Sequence, residues 1–483
     1  MKTKSLLMLA VLAILATVGF TSCDELAVED NPMQSYITMR TSDVTLKVGE
    51  TYVRKAVAAG TAVVVYSSSD ATVATVDQEG KVTAITPGTA TITAQTTGYN
   101  AEGKKIYLAE EKSYKVTVKA AVTSLSLDKA NLRFDKNVLT AQALTPTVTP
   151  SDAAITWTSS NENVATVDAN GQVTPKAKGT ATITAKAGDL TATSTIYVYD
   201  KIHNINTDGN AVVTTNESWL IEGDVTTSVS KSITIEAGAT VTLNGINITK
   251  RIECLGDATI ILADGSTNTV KGDYYPVVKA GIVVGPSGTT LTIDAETAGD
   301  GKLNATGGTQ SAGIGTSYSN SSDITCGAIT IKGGEITAKG AMYAAGIGTG
   351  LTIDKNNTCG AITINGGTVT ATSGNYAAGI GTGWADGSGS NTCGAIAITA
   401  NVTKVTVTKG AGSPNIMGVG YLSNGTQNCG TITFGPAQVF DGTAATGAWS
   451  PSPMVAGTYG GLNLAISTTT NADDTWTLTP VTP

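Results

Sequence analysis

The chain has 483 residues and a formal net charge of −8, from 30 Lys and Arg against 38 Asp and Glu. That balance excludes a nucleic-acid backbone as the main partner, because phosphate neutralisation needs a surplus of Lys and Arg. Aromatic residues make up 5% of the chain and glycines number 55. Val, Ile, Leu, Ala and Thr must therefore build the core, on short strands with tight corners and not on helices.

The first segment reads as an address. Lys2 and Lys4 precede an uncharged run from Leu6 to Phe20, of signal-peptide length and short for a spanning helix. No other run is long and apolar enough to span a bilayer. The run ends at Phe20-Thr21-Ser22-Cys23, followed by Asp24-Glu25. Small residues before a Cys resemble a lipoprotein signal, and the acidic pair resembles the surface-export signal of the Bacteroidetes group. Phe20 departs from the usual Leu. The resemblance implies a signal peptide over 1–22, lipidation at Cys23 and anchoring in the outer membrane with exposure at the cell surface. Acyl chains bury CH₂ groups at about 0.8 kcal/mol each, so a multiply acylated Cys is a stable anchor. Residues 23–34 are polar, carry Pro32 and read as a tether.

Two copies of one pattern follow. Tyr66 to Ala94 reads YSSSDATVATVDQEGKVTAITPGTATITA, and Trp157 to Ala185 reads WTSSNENVATVDANGQVTPKAKGTATITA. They align without gaps at an offset of 91 residues, the size of a β-sandwich domain and too long for a solenoid repeat. Gly80 and Gly171 occupy a turn that wants positive φ. Tyr66 and Trp157 share a position where a large ring can fill space between sheets. Neither copy contains Cys. The pattern resembles the bacterial immunoglobulin-like domains of group 2, found also in invasin- and intimin-type adhesins. It implies sandwiches over 35–119 and 120–200, without implying a ligand.

The texture changes from about Val229. SAGIGTS begins at Ser311, AAGIGTG at Ala344 and again at Ala377, with weaker forms at Ala280 and Ile416. CGAIT, CGAIA or CGTIT follows in each of the last four units. The central step is 33 residues, with about three short strands per unit. Such units bury their apolar faces only by stacking. Ile329 and Ile331, Ile362 and Ile364, and Ile396 and Ile398 share a phase and predict inward columns. The expected fold is all-β: two tandem immunoglobulin-like sandwiches, then a right-handed parallel β-helix over 201–433. Residues 434–483, with a final strand at Trp476-Thr477-Leu478, predict a cap on the last rung. This region is similar to β-helical surface modules of gut and fibre-degrading bacteria, some described as carbohydrate-binding. That likeness transfers no sugar site to named positions.

Chemistry-bearing residues are few. Cys326, Cys359, Cys393 and Cys429 share a phase, as a metal or disulfide ladder or as a column of buried thiols. The absence of CxxC and of a nearby His favours buried thiols. His203, the one histidine, reads as a solvated linker residue. Asp323, Asp354 and Asp386 drift in register and do not suit paired-carboxyl glycoside chemistry. Pectate lyases, which are also β-helical, use Ca²⁺ carboxylates with an Arg or Lys base. Arg251 is the sole Arg beyond Asp200, and that grouping is not evident. No catalytic residue, metal ligand or cofactor is assigned.

Aromatic residues give the surface signal. Tyr318, Leu351 and Trp384 fall 33 apart, and Tyr343 and Tyr376 are one step apart. Stacking turns them into two stripes, with Asn356, Asn357 and Asn391 in the same loops. The rings either stack on sugar faces, with amides bonding the hydroxyls, or cover contacts between rungs. The reading is a non-catalytic, lipid-anchored surface protein. Its partners are the membrane, through the anchor, and a polysaccharide or host or neighbour-cell glycan. A polysaccharide-degrading lyase-like enzyme and a structural assembly protein are the alternatives.

Overall fold

The computed structural model describes residues 37–58, 62–100, 110–296, 299–440, 456–468 and 474–481. The signal peptide, Cys23 and the tether lie outside the described residues. Every regular element described is a strand.

Each sandwich sets a four-stranded sheet against a three-stranded one. In the first, Val44–Lys47, Glu111–Lys119, Gly88–Asn100 and Ala62–Ser68 face Thr51–Val53, Lys81–Ala84 and Ala74–Val76. In the second, Asn131–Asp135, Leu190–Tyr199, Gly179–Ala187 and Thr156–Ser159 face Gln142–Ala143, Gln172–Pro175 and Ala165–Val167. The duplicated motif explains the match, because alternate residues of a strand share a face. Ala90 and Ile92 are buried in one core, and Ala181 and Ile183 in the other. Gly80 and Gly171 adopt φ of 77° and 79°. Tyr66 and Trp157 lie against these glycines. Tyr66 packs in a small cluster with Ile37, Ala56 and Ala94, apart from the main core.

From Lys201 the chain forms a parallel β-helix. Among the described residues, one of its sheets has ten strands, one nine and one eight. The expected isoleucine columns are present: Ile329 pairs with Ile362, then Ile396, then Ile432, all buried. Burying such side chains stabilises by about 1.5–3 kcal/mol each, and the column grows with each added rung.

Rung length varies more than the repeat suggested. Val241 pairs with Ile260, 19 residues on, while Ile331 pairs with Ile364, 33 on. The longer rungs carry an added lobe. Between Ile347–Gly348 and Ile362–Ile364 lie the strands Thr352–Ile353 and Asn357–Cys359, so such a rung holds five short strands, not three. Cys359, Cys393 and Cys429 pair in register at the base of this lobe. They are buried and free, as are Cys254 and Cys326. Burial pushes the Cys254 thiol up to about 12. The Cys326 thiol is raised by its hydrogen bond with Cys359 and by burial. Cys359 shifts the other way, its hydrogen bonds with Cys326 and Cys393 lowering its thiol against burial, within a column of packed free thiols.

His203 is not solvated. It sits on Lys201–Asn204, in the first rung, and is 3% exposed. Its ring lies 6.0 Å from that of Trp219, and its Nε2 is 3.0 Å from the Gly209 carbonyl oxygen. The sequence texture there lacks the later repeat, which is why the rung reads as a linker.

The described residues within 127–146, 157–185 and 193–483 form one compact unit. Within it, Asp200 joins the second sandwich to the first rung. Its carboxylate meets Lys136 at 2.6 Å and Lys178 at 2.8 Å, and accepts from the Ser218 N–H at 2.7 Å. Nearby, Arg133 pairs with the buried Glu296. Burial acts to raise the Asp200 carboxyl, but the two lysines and the Ser218 amide outweigh it and hold it below its usual value of 3.8. A depressed folded-state value gives stability that is present above the unfolded value and lost as pH falls through the folded one. Acid unfolding of this unit should therefore steepen below about pH 3.8. Asp200→Asn should flatten that limb in thermal melts taken from pH 5 to 2. An unchanged pH profile would show that Asp200 is not linked to folding.

Candidate functional site

The site is a cluster of four rings on one corner of the β-helix. Tyr343 and Tyr376 come from one column, Trp384 and Tyr421 from a second. Ring centroids are 4.8 Å apart for Tyr343–Trp384, 5.2 Å for Tyr376–Trp384 and 5.5 Å for Tyr376–Tyr421. The geometry is tilted or edge-on, as ring quadrupoles prefer.

Backbone register places these rings. Thr352 pairs with Ala385, and Ala385 with Leu422, so Leu351, Trp384 and Tyr421 stack on successive rungs. The Trp384 N–H donates to the Tyr343 carbonyl at 3.0 Å, and the Tyr421 N–H to that of Tyr376 at 2.7 Å. These bonds stitch the two columns together with an offset of one rung. Gln310, Tyr343 and Tyr376 occupy one corner position with φ of 55°, 69° and 61°. Bulky residues rarely adopt such angles, and strain of this kind collects at binding sites. Tyr376 and Tyr421 are 38% and 40% exposed, and Tyr343 and Trp384 are partly buried. Exposed Met342 adjoins the cluster. The Trp384 Nε1–H donates to Ser423 Oγ at 3.2 Å, whose hydroxyl donates to Asp386 at 2.8 Å.

The structure divides the residues expected from sequence. It brings Tyr343, Tyr376 and Trp384 together. Tyr318 is in register with Leu351 but touches none of the four rings, and Leu351 is buried. The stripe is therefore shorter than the 33-residue spacing implied. Asn357 and Asn391 are not loop amides. Both lie on strands, point inward and are fully buried. Their Nδ2 atoms donate to the carbonyls of Gly350 and Gly383, each at 3.2 Å. Those glycines precede Leu351 and Trp384, so the amides position the second column from beneath. Asn356 is exposed, but its side chain joins rungs: Nδ2 donates to Asp323 at 3.0 Å, and Oδ1 accepts from the Ser390 hydroxyl at 2.8 Å.

Sequence spacing missed Tyr421 because its rung is longer. It lies 37 residues after Trp384. Alignment on the Gly-x-Gly pair finds it, since Tyr421 follows Gly418 by three, as Leu351 follows Gly348. Arg251 also gains a role. It pairs with Glu253 at 2.7 Å and Asp273 at 2.9 Å, while Lys279 meets Glu253 at 3.4 Å. Burial acts to raise the Glu253 carboxyl, but its hydrogen bond from Arg251 and the charge of Lys279 hold it below the ordinary range.

Comparison with known proteins divides the chain in the same way. The bacterial immunoglobulin-like domain of group 2 matches residues 34–104 and 121–198. The β-helix repeat matches 299–318, 329–351 and 362–384. Intimin of Citrobacter freundii is 34% identical over 147 residues, covering 28% of this chain and 15% of that protein. Ice-binding protein 1 of Shewanella frigidimarina is 31% identical over 149 residues, covering 30% and 16%. The chain thus spans about one sixth of the length of these curated relatives. Among solved structures, a C-terminal fragment of intimin in complex with the intimin-binding domain of its translocated receptor is 23% identical. It covers 34% of this chain and 62% of that one, with a TM-score of 0.20. The surface-layer protein SbsC, domains 1–6, is 20% identical over 34% of this chain and 27% of that one, with a TM-score of 0.17. The chain carries two bacterial immunoglobulin-like domains of group 2, followed by a β-helix repeat region.

Proposed function

We propose that this is a non-catalytic cell-surface protein whose β-helix binds a glycan through the Tyr343, Tyr376, Trp384 and Tyr421 cluster. The two sandwiches act as spacers from a lipid anchor at Cys23 in the outer membrane. The ring cluster carries the reading. Partly exposed rings held by a rigid stack of rungs offer apolar faces at little entropic cost, and sugar faces stack on such rings. Ser423 and Asp386, linked to the Trp384 indole, supply polar atoms at the rim. The surface setting is supported by the Lys2–Cys23 signal pattern and by the likeness to intimin, a relative of the sandwich type.

The test is a glycan array probed with purified protein from Ser35 onward, beside Trp384→Ala and Tyr376→Ala. The unaltered protein should bind at least one polysaccharide. Each substitution should weaken that binding about tenfold, the loss of one good ring contact. Binding untouched by both changes would remove the cluster as the site. Self-association without glycan binding would favour an assembly protein instead.

A further inference from the structure

A second group of exposed rings lies on the same corner. Tyr275 is 86% exposed, with Tyr274 and Val277 also exposed beside it. Register connects this loop to the ring cluster. The Gly308 N–H donates to the Lys279 carbonyl at 2.9 Å, and the Ala341 N–H to that of Ser311 at 3.1 Å. A Cβ on Gly374 would lie 2.8 Å from Met342 Cα, and one on Gly410 would lie 2.7 Å from Asn375 Cα. Segments 272–279, 307–311, 340–344, 373–377 and 409–413 therefore succeed one another along one corner. The neighbouring strands give the same order, with Ile282, Ile314, Ile347, Ile380 and Met417 paired in series. Rungs rise about 4.8 Å each, so the corner runs about 20 Å from the Tyr275 loop to Tyr421.

The loop is tied at both ends. Asp273 is held by Arg251 and Lys279 by Glu253, and the Lys279 N–H donates to the Asp273 carbonyl at 3.0 Å. Both cations are engaged in this network and do not stand free to bind an anion.

We infer that Tyr274 and Tyr275 form a second aromatic subsite, and that the ligand is a linear neutral polysaccharide lying along the helix axis. This rests on the glycan reading of the four-ring cluster. A sugar unit of an extended chain advances by a distance close to one rung, so about three units cover the four-ring cluster and about five extend over both groups, from Tyr275 to Tyr421. The net charge of −8 disfavours polyanionic chains. A narrow row of rings with Gln310 between its ends suits a chain better than a broad protein face.

The test measures calorimetric affinity of the full chain for neutral β-linked gluco- and chito-oligosaccharides of two to six units. Polygalacturonate serves as the anionic comparison. Tyr275→Ala, at a site too exposed to disturb folding, is measured in parallel. Affinity should rise about tenfold from three units to six, and Tyr275→Ala should abolish that gain while leaving trimer binding unchanged. The inference is overturned if trimers bind but longer chains gain nothing, or if the gain survives Tyr275→Ala. Preference for polygalacturonate also overturns it. Failure of every glycan to bind defeats the four-ring reading as well, which separates the two outcomes.

Discussion

Replacing Gly348 by alanine is expected to destabilise the β-helix by about 4 kcal/mol or more, the upper end for overpacking a close contact. Gly348 has φ of 137°, and a Cβ there would run into the Gly381 carbonyl oxygen of the next rung. The same approach recurs from Gly315 to Gly348 and from Gly381 to Gly418. The stack cannot open at one rung without breaking backbone hydrogen bonds on both sides, such as Thr316 N–H to the Gly348 carbonyl and Thr349 N–H to that of Gly381. Gly265 is the control. Its φ is 68°, yet a Cβ there meets nothing within 4 Å. Gly265→Ala should cost about 1 kcal/mol from backbone strain alone. Urea unfolding followed by circular dichroism separates the two. Equal effects would mean that close approach between rungs does not decide the Gly-x-Gly motif.

The second large effect concerns the far end of the solenoid. A chain ending at Phe440 should melt well below the full chain and self-associate on size exclusion. The parallel series ends because Ala437–Phe440 folds back antiparallel on Ile432–Phe434. Asp474–Pro480 likewise pairs antiparallel with Lys404–Thr408 and with Leu462–Thr468. The latter hairpin delivers Leu462, Leu464, Trp476 and Leu478 into the core. Phe434, fully buried, meets Trp476 edge-on at 6.3 Å. Removing the hairpin exposes these partners and an unpaired strand edge, which is a template for association. Trp476→Ala alone should cost about 3–5 kcal/mol. A truncated chain that stays monomeric with an unchanged melting temperature would show that the hairpin is not a cap.

A working glycan site would not need every residue that the repeat put in phase. Phase placed Leu351 and Trp384 on one column, but burial separates them: the leucine is covered and the tryptophan is partly exposed. The same holds for the amides. Asn356, one residue before the strand Asn357–Cys359, is exposed, while Asn357 on the strand is buried.

What the amino-acid sequence determined by itself was whatever repeats at short range. The paired turns at Gly80 and Gly171, the isoleucine columns and the recurring Gly-x-Gly all follow from alternation and equal spacing. Rung length, the inward turn of Asn357 and Asn391, the burial of His203 and the meeting of Tyr421 with Trp384 were decided by the tertiary structure. The reason is physical. A solenoid keeps its strands in register while its corners absorb insertions, so neighbours in space share a phase without sharing a fixed separation along the chain.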